Sequence, residues 1–245
     1  MPSLLESAAD AIAGVDSATD WFRLALAWAR AMPLVTLVPA FGLRALPAPA
    51  RVVMGFALAT AYFPAVAPLA DETTRPWVVQ ALVEAAHGLP VAIAAAVPLW
   101  AATMAGGVAD ALRGARETVT SPVVEGTATP MGVPLSILAS AIFLTTGGPA
   151  RAAAALALQP TSANPFIAAS GDLLAGIAFA IALAGPLLAA AVVLEVAGAL
   201  IARAASPAQV HALLAPLRAL GVLAVTAIAF ERIATVLAKA ISAAH

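Results

Sequence analysis

The 245-residue sequence contains no cysteine. That excludes disulfides, thiolate metal sites and thiol nucleophiles. Charge is scarce as well: Asp, Glu, Lys and Arg make up 10% of the residues, against about 25% in a soluble domain. The net charge of -1 leaves no basic footprint for nucleic acid. No long polar block exists, so there is no room for a sizeable soluble domain. The first twenty residues hold Glu6, Asp10, Asp16 and Asp20 and no Lys or Arg. They lack the basic start of a secretory signal and read as a tail or a short amphipathic helix. Catalytic signatures are missing too: no phosphate-binding Gly-rich loop, no nucleophile elbow and no His-Glu-x-x-His helix. Glu84 and His87 have the i, i+3 spacing of a carboxylate metal site in a helical bundle. Such a site needs a second matching pair, and the other histidines, His211 and His245, do not supply one. The expectation is a protein that is not an enzyme and holds no metal or cofactor.

What the chain has in abundance is apolar surface. Hydrophobic residues reach 62% and the mean hydropathy is +0.98. The charges recur at intervals of roughly one membrane crossing. The fold class expected is an all-α membrane protein of about six apolar helices, at residues 21–41, 52–70, 77–105, 133–158, 173–201 and 212–240. The fourth is interrupted by Thr145-Thr146-Gly147-Gly148-Pro149 and reads as two half-helices. Abundant alanine allows helix backbones to approach closely. Pro33, Pro39, Pro90, Pro98, Pro134 and Pro186 fall inside apolar segments. Each removes a helix hydrogen bond and favours a kink, so helices bent around an axis or restarted inside a complex are expected.

Basic residues of the short connections set the orientation. Arg44 and Arg51, Arg113 and Arg116, and Arg203 and Arg218 fall on one side of a six-segment arrangement. Asp71-Glu72 and Asp172 fall on the other, which places the N-terminus outside and the basic turns in the cytoplasm. One connection, residues 106–130, is long, Gly-rich and polar. Polar backbone at membrane depth is tolerated only against protein or a water-filled path. The loop therefore either lines something or lies on the surface.

Arg23, Arg30, Glu84, Glu195 and Glu231-Arg232 lie inside apolar segments, where an isolated charge costs at least about 2.5–3.5 kcal/mol. They require partners on another helix or another subunit, or they belong to an ion path, or their segments do not cross the bilayer.

Two blocks carry a family resemblance. One is Pro39-Ala-Phe41-Gly42-Leu-Arg44-Ala-Leu-Pro47-Ala-Pro-Ala-Arg51. The other runs from Leu183-Ala-Gly-Pro186 through Glu195, Gly198 and Arg203-Ala-Ala-Ser-Pro207 to Pro216-Leu-Arg218-Ala-Leu-Gly221. Between them stand Glu84, Gly88, Ala105-Gly106-Gly107, Gly114 and Phe143-Leu-Thr-Thr-Gly147-Gly148. This order, over residues 20–235, resembles the export-gate subunit called FliR in flagella and SctT in injectisomes, a component of type III protein secretion. The sequence departs from that family where Pro149 follows the paired glycines in place of His, where Pro207 lies four positions after Arg203 rather than three, and in the small, polar character of the 106–130 loop.

The resemblance implies a domain over residues 21–240, built of kinked hairpins and joined as one copy to other export-gate subunits in a helical hetero-oligomer. It implies a bacterial inner-membrane location, contact with lipid, and a channel for unfolded secretion substrates. Under it the 106–130 loop is a channel plug, with Gly106, Gly107, Gly114, Val119 and Val123 shaping it. Arg203, Gln209, Pro216 and Arg218 form a cytoplasmic hairpin tip, and Glu84 and Glu195 make intersubunit ion pairs. The competing expectations are a small multi-pass secondary transporter using the broken fourth segment, a membrane-embedded enzyme, and a scaffold of another membrane complex.

Overall fold

The computed structural model describes residues 18–41, 47–63, 76–120, 127–158, 164–204 and 211–243. Most of the 1–20 tail lies outside these residues. Among them are seven α-helices: α1 (Ala18–Leu37), α2 (Ala48–Tyr62), α3 (Trp77–Leu112), α4 (Gly132–Thr145), α5 (Gly148–Leu158), α6 (Pro165–Ala204) and α7 (His211–Ala243). A 3-10 turn, Pro39–Phe41, follows α1, and two short strands, β1 (Val119–Thr120) and β2 (Thr127–Ala128), precede α4.

Six apolar segments become seven helices because the fourth breaks, and α4 and α5 meet at 67°. The break has a local cause. Gly147 adopts φ +76, a conformation that costs other residues about 1–2 kcal/mol. Gly148 lies so close to Phe143 that a Cβ would sit 2.5 Å from Cδ2 of that ring. Arg151, from the start of α5, donates through Nη1 to the carbonyl of Thr146 at 2.7 Å and so covers one of the acceptors left free where α4 ends.

Among the described residues, three helices are long and apolar enough to cross a membrane: Trp77–Leu112, Pro165–Ala204 and residues 214–243 of α7. The bent α4–α5 pair would be a fourth. This is fewer than six crossings. α1 spans 20 residues but carries Asp20, Arg23 and Arg30. α2, at 15 residues, is shorter than the roughly 20 that a spanning helix needs. α6 errs the other way. Its 40 residues make a rod of about 60 Å, about twice the hydrocarbon thickness. Prolines remain inside the long helices, at Pro90 and Pro98 of α3, Pro186 of α6 and Pro216 of α7.

α3 is the centre of the molecule, packed against α6, α1 and α4 and, to a lesser extent, α7. Its buried face is mostly alanine: Ala92, Ala95, Ala96, Ala102 and Ala105 surround Leu99. Leu34 and Val35 of α1, Leu135 and Phe143 of α4, Leu156 of α5 and Leu237 of α7 fill the space against it. Phe143 meets Phe41 edge-on, with ring centroids 6.0 Å apart. The α6–α7 hairpin is different. Ile177, Ile181, Val193, Val196 and Leu200 of α6 and Leu217, Leu220 and Ile228 of α7 are all exposed. Their surroundings are lipid or neighbouring chains, since so large an apolar surface is not stable in water.

Candidate functional site

Where α1 crosses α3, the backbones come together at Gly88. A Cβ there would stand 2.0 Å from the carbonyl oxygen of Arg30. Glu84 lies one turn earlier on the same face of α3. This approach brings Arg30 and Glu84 together: Nε and Nη2 of Arg30 each reach Oε2 of Glu84 at 2.6 Å. Both side chains are almost fully buried, at 5% and 6% exposure. Nη1 of Arg30 donates to the carbonyl of Leu156 at 3.3 Å, which lies in the last turn of α5, where helical donors run out. Nearby, Tyr62 at the end of α2 donates its hydroxyl to the carbonyl of Ala27 in α1. Burial pushes the Tyr62 phenol above its ordinary range, so it remains the donor. Four helices therefore meet at one charged node. Within the single chain Glu84 is engaged by Arg30, because Gly88 lets the two helices touch.

The polar connection after α3 starts later than the sequence suggested. Gly106 and Gly107 are inside α3, not in the loop. Gly106 is needed for close approach rather than for a bend: a Cβ would lie 2.5 Å from the carbonyl oxygen of Met131 and 2.6 Å from Cα of Gly132. The turn comes at Gly114, with φ +77. There the N–H of Gly114 reaches the carbonyl of Ala111 at 3.1 Å and that of Ala115 reaches Asp110 at 3.0 Å, the pattern of a glycine-closed helix end. β1 and β2 then pair antiparallel, Val119 opposite Ala128 and Thr120 opposite Thr127. Val119 is exposed, and Val123 lies outside the described residues.

Asp110 holds this loop, and sequence reasoning missed it. It is 1% exposed. One carboxylate oxygen accepts from Nε of Arg113 at 2.6 Å and the other from the N–H of Met131 at 2.7 Å. It thus ties the end of α3 to the start of α4 and satisfies an N–H that no helical carbonyl reaches. The run Asp110-Ala-Leu-Arg113-Gly114 held a signal, an i, i+3 ion pair ahead of a helix-ending glycine. Asp110→Ala should destabilise the protein by about 1–3 kcal/mol, the usual cost of stranding a buried donor, and expose residues 115–130 to limited proteolysis. Asp110→Asn, which keeps one acceptor, should lose less.

At the far end of the α6–α7 hairpin, Arg203 lies exposed in the last turn of α6. Gln209 falls outside the described residues. Pro216 and Arg218 belong to α7. Arg218 is set back from the tip and pairs with Glu195 of α6, Nη1 to Oε1 at 2.5 Å. Within the single chain Glu195 thus has Arg218 as a partner. The two side chains are 38% and 58% exposed, and such pairs contribute about 0–1 kcal/mol. They flank a cleft of about 320 Å³ lined by Leu194, Gly198, Ile201, Leu214 and Leu217. Among the described residues no three His, Asp or Glu side chains converge as they would around a metal ion.

Comparison with known proteins yields a family model described as "Bacterial export proteins, family 1", which matches residues 21–244. No curated protein matches the chain.

Proposed function

The chain belongs to the bacterial export proteins, family 1, the FliR/SctT family of type III export proteins, and from that premise we propose that it is an export-gate subunit that helps form the channel for unfolded proteins across the bacterial inner membrane. It is an integral membrane component of an export apparatus. The observation that carries the finer reading is the match over residues 21–244, nearly the whole chain. The shape of the molecule supports it. An alanine-lined core holds α1 to α5 together, while the α6–α7 hairpin offers apolar faces that this chain does not cover.

In this reading the residues from Arg113 to Met131 act as the plug, with Gly114 and Asp110 setting where the loop leaves and rejoins the helices. Gly106 and Gly107 support it from within α3. Val119 and Val123 are its apolar contacts with the channel. Arg203, Gln209 and Pro216 face the cytoplasmic side, where unfolded substrate arrives, and the Glu195–Arg218 pair braces the hairpin behind them. Other gate subunits and lipid cover the exposed faces. The chain acts by assembly rather than by catalysis.

The test is co-expression of the tagged chain with its genomic neighbours, followed by purification, mass spectrometry and particle imaging. Recovery as one copy within a helical complex is the expected result. Recovery as a free monomer or a symmetric homodimer would overturn the reading. It would favour a secondary transporter, for which the bent α4–α5 pair is the kind of broken span such proteins use.

A further inference from the structure

Helices α3, α6 and α7 line a second cleft, open to the surroundings and of about 360 Å³. Its lining includes Ala94 and Pro98 of α3, Asp172, Gly176 and Phe179 of α6, and Ala240 of α7. The geometry is held by a close crossing. A Cβ on Gly176 would lie 2.7 Å from Cγ1 of Val97, so α6 cannot move away from α3 without losing that contact. Asp172 stands one turn before Gly176 on the same face of α6.

The chemistry of the lining is one-sided. Asp172 is its only charged residue, and among the described residues no hydrogen bond or ion pair engages the Asp172 carboxylate. Pro98 has no N–H, so the carbonyl of Ala94, four residues earlier in α3, lacks its helical donor. The other side chains around the cavity are Ala, Val, Pro and Phe, with one Gly. None of them can donate a hydrogen bond. The cavity therefore presents acceptors and a negative charge, with no donor of its own. Asp172 is only partly buried, but a carboxylate on an otherwise apolar stretch of membrane helix is stabilised when a positive charge joins it. A lone metal ion would leave most of the volume unfilled, whereas a long aliphatic stem ending in a cation fits both the apolar walls and the acceptors.

We propose that this cavity receives a cationic side chain, a lysine or arginine, from a neighbouring chain of the export assembly. The inference rests on the export-gate reading above. It names a contact within that assembly, where Asp172 acts as the docking acceptor beside the α3–α6 crossing.

The experiment uses the full chain co-expressed with its genomic neighbours. Asp172→Asn keeps the shape and removes the charge, and Asp172→Lys reverses it. Relative to the unmodified chain, Asp172→Lys should reduce co-purified partner about ten-fold or more, since like charges at an interface are strongly unfavourable. Asp172→Asn should reduce it less. Each variant's thermal unfolding in detergent is measured alongside and should stay close to that of the unmodified chain. In parallel, benzoylphenylalanine in place of Phe179 is photo-crosslinked in the assembled complex. Capture of a partner peptide bearing Lys or Arg is expected. Capture confined to lipid, detergent or this chain itself, or undiminished co-purification of both Asp172 variants, would overturn the proposal. If the unmodified chain recovers no partner at all, it is the export-gate reading that fails.

Discussion

Replacing Glu84 with Ala should be among the most damaging single changes in this chain. It leaves the buried Arg30 guanidinium with, among the described residues, a single remaining acceptor, the carbonyl of Leu156. Breaking a buried pair by removing one partner costs about 3–5 kcal/mol, against a total stability of about 5–15 kcal/mol for a typical domain. The expected outcome is a large drop in the thermal unfolding temperature in detergent, and little mature protein in membranes. The paired replacement Arg30→Met with Glu84→Leu separates charge from packing. It removes both charges at similar volume and should recover much of the loss, because the desolvation of two ions then no longer opposes folding. A double variant as unstable as Glu84→Ala would show that the stranded charge is not what destabilises the single variant. Part of the damage from Glu84→Ala should spread to α5, since Arg30 also covers the Leu156 carbonyl there.

Gly88→Ala should come close to the same effect by a different route. In an open helix this change would help, because glycine costs about 1 kcal/mol relative to alanine. Here the new Cβ would meet the Arg30 carbonyl oxygen at 2.0 Å and its carbon at 3.0 Å. Both are backbone atoms of a packed helix and cannot rotate away. The helices would have to separate, which costs about 1–3 kcal/mol or more in a close-packed core and lengthens the Arg30–Glu84 contacts. Gly185→Ala in α6 is the matched control. Nothing lies within 4 Å of its Cβ position, so it should be neutral or stabilising by about 0.5–1 kcal/mol. Gly88→Ala should lower the unfolding temperature in detergent, while Gly185→Ala should leave it unchanged or raise it. Similar behaviour at both positions would refute the steric account. Gly88→Ala combined with Glu84→Ala should cost less than the sum, because both act on one crossing.

Much of this molecule is legible along the chain. Hydropathy marked the membrane as its surroundings and located the long α3, α6 and α7. The Thr145-Thr146-Gly147-Gly148-Pro149 run marked the α4–α5 break, since a glycine pair ahead of a proline at the start of a helix interrupts the backbone locally. The demand that Arg30, Glu84 and Glu195 find partners also came from the sequence, because an apolar setting makes a lone charge costly. The ordered short motifs were enough for a family resemblance.

Other features depended on which helix faces meet. Gly106 and Gly114 look alike in sequence, yet one is in a helix for want of a Cβ and the other turns the chain at positive φ. Asp110 resembles any helix-end carboxylate until Met131, 21 residues later, arrives within hydrogen-bond distance. Glu84 and Arg30 are separated by 54 residues, and nothing local selects one another over a partner in a neighbouring subunit. The sequence by itself determined the solvent, the helical class and the break points, because hydropathy and backbone preference act over a few residues. Only the tertiary structure decided how each charge is paired and which glycines are contacts, because those depend on the close crossing of helices remote in the chain.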